Sequence, residues 1–441
     1  MRRLLILLLL AFVFSATGQV RWQSRDSLTY QQYLNKEWKP LLREVQNSLN
    51  DGVDFYYLRV RAGVAAYELK KYRQAADHFA RAYNWYQNDE FLNYWYYYAL
   101  VMAGRLDEAN YLTANLPAGF LYRMQIRKGN FLNGVIAETQ LSNNSNYSEL
   151  IQQTPEHSGS YVIYRNIPRQ QIYSGIGLEH QLSPRWMLIH GLSRLTIQKN
   201  QYFKAGDYNQ TVFRESSVQQ VQYYLQGRYF IGNGWHANAG YTIIGGSADN
   251  HTIDENVLGQ KLIVPYSYAI CDHFIHLGLT RDFKSLRPGL SAGIGNVDGF
   301  FQMQANGHLT LYPLGSANLY LTGDVSMHYD SSVERLKFVA MPKIGSKLGP
   351  LWIQAERSFG DLQNFSSAGG YVVYNSPEVV KQLTGFSVTL PMLNYRFYAM
   401  ARYMHAIKEA STFDYVDKDN YTALPYQYNE TSWLLSLKWY F

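Results

Sequence analysis

The C-terminal end constrains the fold more than any other part of the chain. Thr431, Trp433, Leu435, Leu437, Trp439 and Phe441 follow one another at steps of two, and Ser432, Leu434, Ser436, Lys438 and Tyr440 stand between them. A period of two belongs to a strand with one greasy face and one wetter face. The pattern returns where Phe301, Met303, Ala305, Leu309 and Leu311 oppose Gln302, Gln304, Asn306, His308 and Thr310. It returns again where Leu319, Leu321, Val325, Met327 and Tyr329 oppose Tyr320, Thr322, Asp324, Ser326 and His328. The second face is too polar for a dry core.

A soluble β-sandwich also alternates, but its strands average about five or six residues. The strands read here run to about 11–14 residues, the length a tilted strand needs to cross a bilayer. Strands in lipid must close on themselves, because an open edge leaves N–H and C=O groups unpaired. Fourteen strands are predicted, beginning with 158–165 and 171–182 and ending with 431–441; twelve and sixteen are the neighbouring even counts. Every second joint is tight, as at Ser183-Pro184, Gly232-Asn233-Gly234 and Gly349-Pro350, and long joints are expected at 200–217, 248–267, 364–380 and 409–430. Short turns on one side and long loops on the other are the habit of bacterial outer-membrane barrels.

Residues 1–18 read as a secretory signal peptide: Arg2 and Arg3, an apolar stretch from Leu4 to Phe14, then Ala16 and Gly18. The formal net charge of +6 includes those two arginines, which leaves too little to argue for nucleic acid. Cys271 is the one cysteine, so no intramolecular disulfide forms. Tyrosine is unusually frequent, with 39 residues, which excludes a disordered chain.

Residues 19–117 read as helical. In GVAAYELKKYRQAADHFARAY, Gly63, Tyr67, Tyr72, Ala75, Phe79 and Ala82 fall where a tetratricopeptide unit needs small residues for helix crossing and aromatics for the gap between helices. Gly104 and Ala109 are expected in the turn and second helix of another unit, although Tyr97 and Thr113 depart from its pattern. An ordinary helical hairpin on its own core is the alternative. Such repeats dock partners rather than perform chemistry. Residues 118–155 are expected to be a linker and 156–441 the barrel.

No motif for a phosphate loop, zinc site or nucleophile elbow is present, and no cofactor is expected. Cys271 and His273 share a strand face while His276 points away, so the three do not converge on a metal. His190 and Ser193 also have opposite parity, which argues against a lipid hydrolase. The inward faces are expected to carry Glu179, Arg194, Arg228, Asp272, Asp324, Glu356, Arg396, Arg402 and Lys438. Both signs occur, so no ion selectivity follows. Such charges either satisfy one another in a narrow barrel or line a conduit.

Leu435, Leu437, Trp439 and Phe441 resemble the terminal signal strand that the barrel assembly machinery recognises. The whole layout, together with the segment YYLQGRYFIGNGWHANAGYT, resembles the YaiO-like outer-membrane proteins of Gram-negative bacteria. It is also similar in layout to the tetratricopeptide-barrel exporter of poly-N-acetylglucosamine. These resemblances imply an outer-membrane location, contact with outer-membrane lipid, a periplasmic repeat domain able to hold a partner protein, and no catalytic residues. The expected function is transport or export of a polar solute or glycan. A non-conducting scaffold that recruits a periplasmic partner is the alternative.

Overall fold

The structure, a computed structural model, describes residues 22–126, 130–153, 155, 161–205, 211–255 and 260–441. The signal segment read at 1–18 lies outside these residues.

Seven helices come first: α1 (described over 22–34), α2 (Trp38–Asn50), α3 (Tyr56–Glu68), α4 (Tyr72–Trp85), α5 (Glu90–Met102), α6 (Leu106–Ala114) and α7 (Ala118–Arg123). α3 buries Ala62, Gly63, Ala65 and Ala66, and this run of small side chains lets α4 come close. A Cβ on Gly63 would stand 2.3 Å from the Phe79 ring. Ala75, Phe79 and Ala82 are fully buried, Tyr72 is nearly so, and Tyr67 packs against the same core. Asp89 caps α5 by accepting from the Phe91 N–H at 2.8 Å. Gly104, at φ +75°, turns the chain into α6, where Ala109 is buried.

The barrel wall begins with β1 (Leu132–Asn144), followed by α8 (Tyr147–Gln152), β2 (Val162–Gln181), β3 (Trp186–Ala205), β4 (Thr211–Gly232), β5 (Trp235–Glu255) and β6 (Lys261–Arg281). It continues through β7 (Leu286–Val297), β8 (Phe300–Leu311), β9 (Leu319–Asp330), β10 (Arg335–Leu348) and β11 (Leu351–Phe359). Two short strands, β12 (Phe365–Ser367) and β13 (Val372–Tyr374), pair only with each other. β14 (Val379–Met392), β15 (Phe397–Tyr415) and β16 (Tyr421–Tyr440) complete the wall, and β16 closes on β1 with Trp439 opposite Val135. The result is a closed antiparallel barrel of fourteen strands.

The expected number is right, but two of its parts are not. The stretch expected as a linker, 118–155, holds α7, β1 and α8, so the barrel begins at Leu132 rather than 156. β1 offers only Val135, Ala137, Thr139 and Leu141 to the outside, a weak apolar face, and it is a strand because both its edges are taken, by β16 and by β2. The segments 158–165 and 171–182, read as two strands, belong to the single strand β2 as far as they are described, with a bulge between Pro168 and Gln170. The omission and the split cancel.

Three long joints are also shorter than expected. β3, β4, β5, β6, β15 and β16 run on through much of 200–217, 248–267 and 409–430, each strand reaching 19–22 residues. Above Asn144, where β1 ends, β15 pairs directly with β2, Thr412 opposite Arg165 through Tyr415 opposite Val162. These β15 residues also pair with β16, so β2 takes the edge that β14 covers lower down. The rim is drawn together over that part of the barrel, and Leu150 of α8 packs there with Ile163, Ile167, Tyr202 and Tyr428.

Period-two alternation sorts the wall. Leu192, Leu277, Leu290, Val325, Phe338 and Trp433 all stand exposed on the outside, whereas Gln222, Asp272, Gln304 and Ser432 face inward. The helical domain sits against the short-turn end. There the Arg73 N–H donates to the Gly315 carbonyl at 2.9 Å, and the Arg185 guanidinium donates to the Tyr111 hydroxyl at 2.9 Å.

Candidate functional site

Between Asp361 and Glu378 the chain carries no charged residue, and this run folds into the barrel. The joint 364–380 was expected as a long external loop; it is instead an in-folded hairpin. The signal was legible, because an external loop of that length ordinarily carries charge and here only amides, hydroxyls and apolar side chains occur. Gly360 starts the inward turn at φ +110°, where a Cβ would run into the Phe338 carbonyl at 2.1 Å. Leu362 and Phe365 are then buried inside the wall against Val339, Val380 and Ala406. Burying two large apolar side chains supplies about 3–6 kcal/mol that an external loop would forgo.

Hydrogen bonds hold the hairpin to many strands. Gln304 of β8 donates to the Ser366 carbonyl at 2.7 Å and accepts from the Ser366 N–H at 3.2 Å. Thr242 of β5 donates to the Gly370 carbonyl at 2.6 Å, and Gln222 of β4 to the Tyr371 carbonyl at 2.8 Å. Asn375 donates to Asp272 of β6 at 2.8 Å. At the tip, the Tyr371 hydroxyl donates to Glu138 of β1 at 2.7 Å and lies 3.2 Å from the Tyr173 hydroxyl of β2. The hairpin therefore spans the lumen from its root between β11 and β14 to the wall at β1. A Cβ on Gly240 would come within 2.9 Å of the Gly369 carbonyl, so the bare wall there is what admits the turn.

A cavity of about 780 Å³ lies between the hairpin and the wall. Its charges are engaged pairwise. Arg402 contacts Glu356 directly; Lys343 lies 3.3 Å from Asp324, and His308 Nδ1 2.5 Å from the same carboxylate. Lys408 donates to Glu430 at 2.7 Å. Low-dielectric surroundings favour such pairing, because a lone charge in the lumen wall would carry an uncompensated desolvation cost.

Of the expected lumen residues, Asp324, Glu356 and Arg402 line this cavity. Asp272 faces in and accepts from the Asp298 N–H and from Asn375, both at 2.8 Å. Glu179 and Lys438 meet at 2.5 Å nearer the short-turn end. Arg228 reaches out of that end to Asp107 of α6 at 2.9 Å. Two expectations fail. Arg194 stands exposed on the outer face and donates to Gln219 at 3.0 Å, because the inward parity of β3 belongs to Ser193, Leu195 and Ile197. Arg396 lies exposed in the turn between β14 and β15, because β14 runs on to Met392 and the turn takes four residues. Leu435, Leu437 and Phe441 are exposed, Leu435 and Leu437 on the outer face with Trp439.

The other candidates keep their parity. Cys271 and His273 are exposed outside while His276 is buried inside. His190 meets His180 at 3.1 Å, and Ser193 lines the cavity.

A second polar cluster joins the two parts of the chain. Arg73 of α4 donates to Asp282 at 2.6 Å and to the Phe283 carbonyl at 2.9 Å, with its guanidinium 3.9 Å from the Tyr312 ring centre. Arg105 chelates Glu108 at 2.6 and 2.8 Å. His236 lies 3.2 Å from Asp282 and 3.5 Å from Asp107. Burial would raise the Asp282 carboxyl, but the hydrogen bond from His236 and the charges of Arg287 and Arg73 outweigh it and hold it well below the usual carboxylate range. Asp107 is lowered in the same way, burial being outweighed by His236 and Arg228. Ligand atoms of Glu108, His236 and Asp282 lie within 4.8 Å of one another, yet a cation would have to displace two guanidinium groups to reach them.

No family model matches the chain, and no curated protein matches it. Solved structures do. The toluene transporter TodX of P. putida aligns at a TM-score of 0.44 and 8% identity, over 71% of this chain and 91% of that one. A FadL homologue of Pseudomonas aeruginosa aligns at 0.46 and 7%, over 70% and 90%. The translocator domain of the autotransporter NalP from Neisseria meningitidis aligns at 0.31 and 13%, over 78% and 100%.

Proposed function

We propose that this chain is an outer-membrane barrel that passes a polar solute or glycan through a lumen narrowed by its own hairpin. The helical domain then lies in the periplasm under the short-turn mouth. The apolar outer face supports the membrane reading, since contiguous exposed apolar surface of that extent is costly in water. The observation that carries the transport reading is the cavity of about 780 Å³ with a polar wall, within the size range of small-molecule sites. Glycan cargo would have to pass it as a short unit or with the hairpin displaced. No catalytic step is proposed.

The purified full chain in planar bilayers tests this. Channels should open, and replacing 364–375 by a short glycine-serine link should enlarge them severalfold. A barrel that passes neither current nor a small neutral solute, with and without the hairpin, would reject transport.

The second reading, a non-conducting scaffold, draws support from the direct pairing of β2 with β15, which narrows the far rim. Tyr57, Trp85, Tyr86 and Phe91, exposed on the helical domain, would then serve a periplasmic partner. A silent barrel that still retains such a partner would favour it.

A further inference from the structure

We infer that the lumen selects neutral, hydroxyl-rich solutes over ions; this rests on the transport reading above. Among the described residues, five acidic and five basic side chains line the cavity, so the wall has no net sign. The pairs Arg402–Glu356, Lys343–Asp324 and Lys408–Glu430 consume most of those charges internally. A passing ion therefore finds counter-charges already occupied, and it loses hydration without a fixed charge to replace it.

The remaining polar wall is neutral. Nine amide side chains and twelve hydroxyls line the same cavity. Amides and hydroxyls both donate and accept, as a sugar or polyol hydroxyl does, so each can satisfy either end of such a group. Three neutral polar atoms in this wall have no hydrogen-bond partner among the described residues: Asn238 Oδ1, His276 Nδ1 and Ser366 Oγ. His276 and Ser366 are more than nine-tenths buried, and His276 Nδ1 stands near the turn at Gly369. A buried polar atom without a partner carries a cost that a solute hydroxyl removes and a hydrocarbon cannot. Tyr173 and Tyr371 line the same cavity, and aromatic rings offer the amphipathic surface that the C–H face of a sugar ring suits.

The test uses proteoliposomes of the full chain, swollen in isosmotic sorbitol, gluconate or lysine, with reversal potentials measured in a salt gradient. Sorbitol should enter about tenfold or more faster than gluconate or lysine, the margin expected when only the charged solutes lose hydration uncompensated. The reversal potential should stay near zero. Asn238→Leu and Ser366→Ala, each checked for a folded barrel by heat-shifted gel mobility, should slow sorbitol severalfold and narrow its lead over gluconate and lysine. Faster entry of either charged solute, or strong selectivity for one ion sign, would overturn the inference. A barrel that passes no solute and no current, with or without residues 364–375, would instead remove the transport reading on which it rests.

Discussion

Arg73 and Asp282 form a buried ion pair, Nη2 to Oδ1 at 2.6 Å, with side chains only 1% and 2% exposed. Arg73 lies in the first turn of α4 and Asp282 opens the turn between β6 and β7, so the contact joins two parts of the chain that are far apart in sequence. Breaking one partner of such a pair ordinarily costs about 3–5 kcal/mol, because the survivor is left charged and dry. Arg73→Met should therefore loosen the helical domain from the barrel without unfolding the barrel. Protease should cut between α7 and β1 much faster in the variant, while the heat-shifted gel mobility of the barrel stays unchanged.

The same interface should respond to acid. Asp282 and Asp107 both titrate below the ordinary aspartate range in the folded protein. A depressed carboxyl contributes stability that is fully present above its unfolded value, about 3.9, and is lost as pH falls toward the folded value. Docking should weaken as pH falls below about 4, where these carboxylates take up protons. Proteolysis of the α7–β1 connection against pH, with Asp282→Asn as the comparison, reads this directly. The variant should begin loosened and show a flatter acid response.

Gly63 is fixed by the approach of Phe79. A Cβ there would meet the ring at 2.3 Å, so Gly63→Val should overpack α3 against α4 and cost about 1–3 kcal/mol. The expected reading is a lower melting temperature for the helical signal in circular dichroism. The β-sheet signal should melt where the parent does.

The tip of the hairpin is held by one charged acceptor. Tyr371→Phe removes the hydroxyl that donates to Glu138 at 2.7 Å, a bond to a charged group worth about 1.5–3 kcal/mol. Single-channel records should show more frequent transitions between current levels, with a larger mean conductance. Glu138→Gln should act in the same direction and more weakly.

Orientation can be read by cysteine labelling on intact cells in a Cys271→Ala background. Cysteine at Asp417 should label with an impermeant reagent and cysteine at Asn233 should not. At Ser367, which lies on the in-folded hairpin, labelling should be slow until the hairpin's hold at Tyr371 is removed.

The sequence by itself determined what local chemistry can write. Alternation at Phe301–Leu311 and Thr431–Phe441 set strand, face and length, because inward and outward side chains meet different solvents at every second residue. The small residues around Gly63 and Ala75 likewise announced two helices crossing closely. Tertiary structure decided what depends on distant partners. β1 is a strand because β16, at the other end of the chain, and β2 take its two edges, and its own apolar face is too thin to announce it. Arg194 faces outward because its neighbours Ser193 and Leu195 face in, a parity set by the register with β2 and β4 rather than by its charge. The hairpin at 361–378 enters the lumen because Leu362 and Phe365 find apolar wall there, and Gln304, Thr242, Gln222 and Glu138 meet its polar groups from four separate strands. No local pattern contains those partners, since barrel closure alone brings them within hydrogen-bond reach.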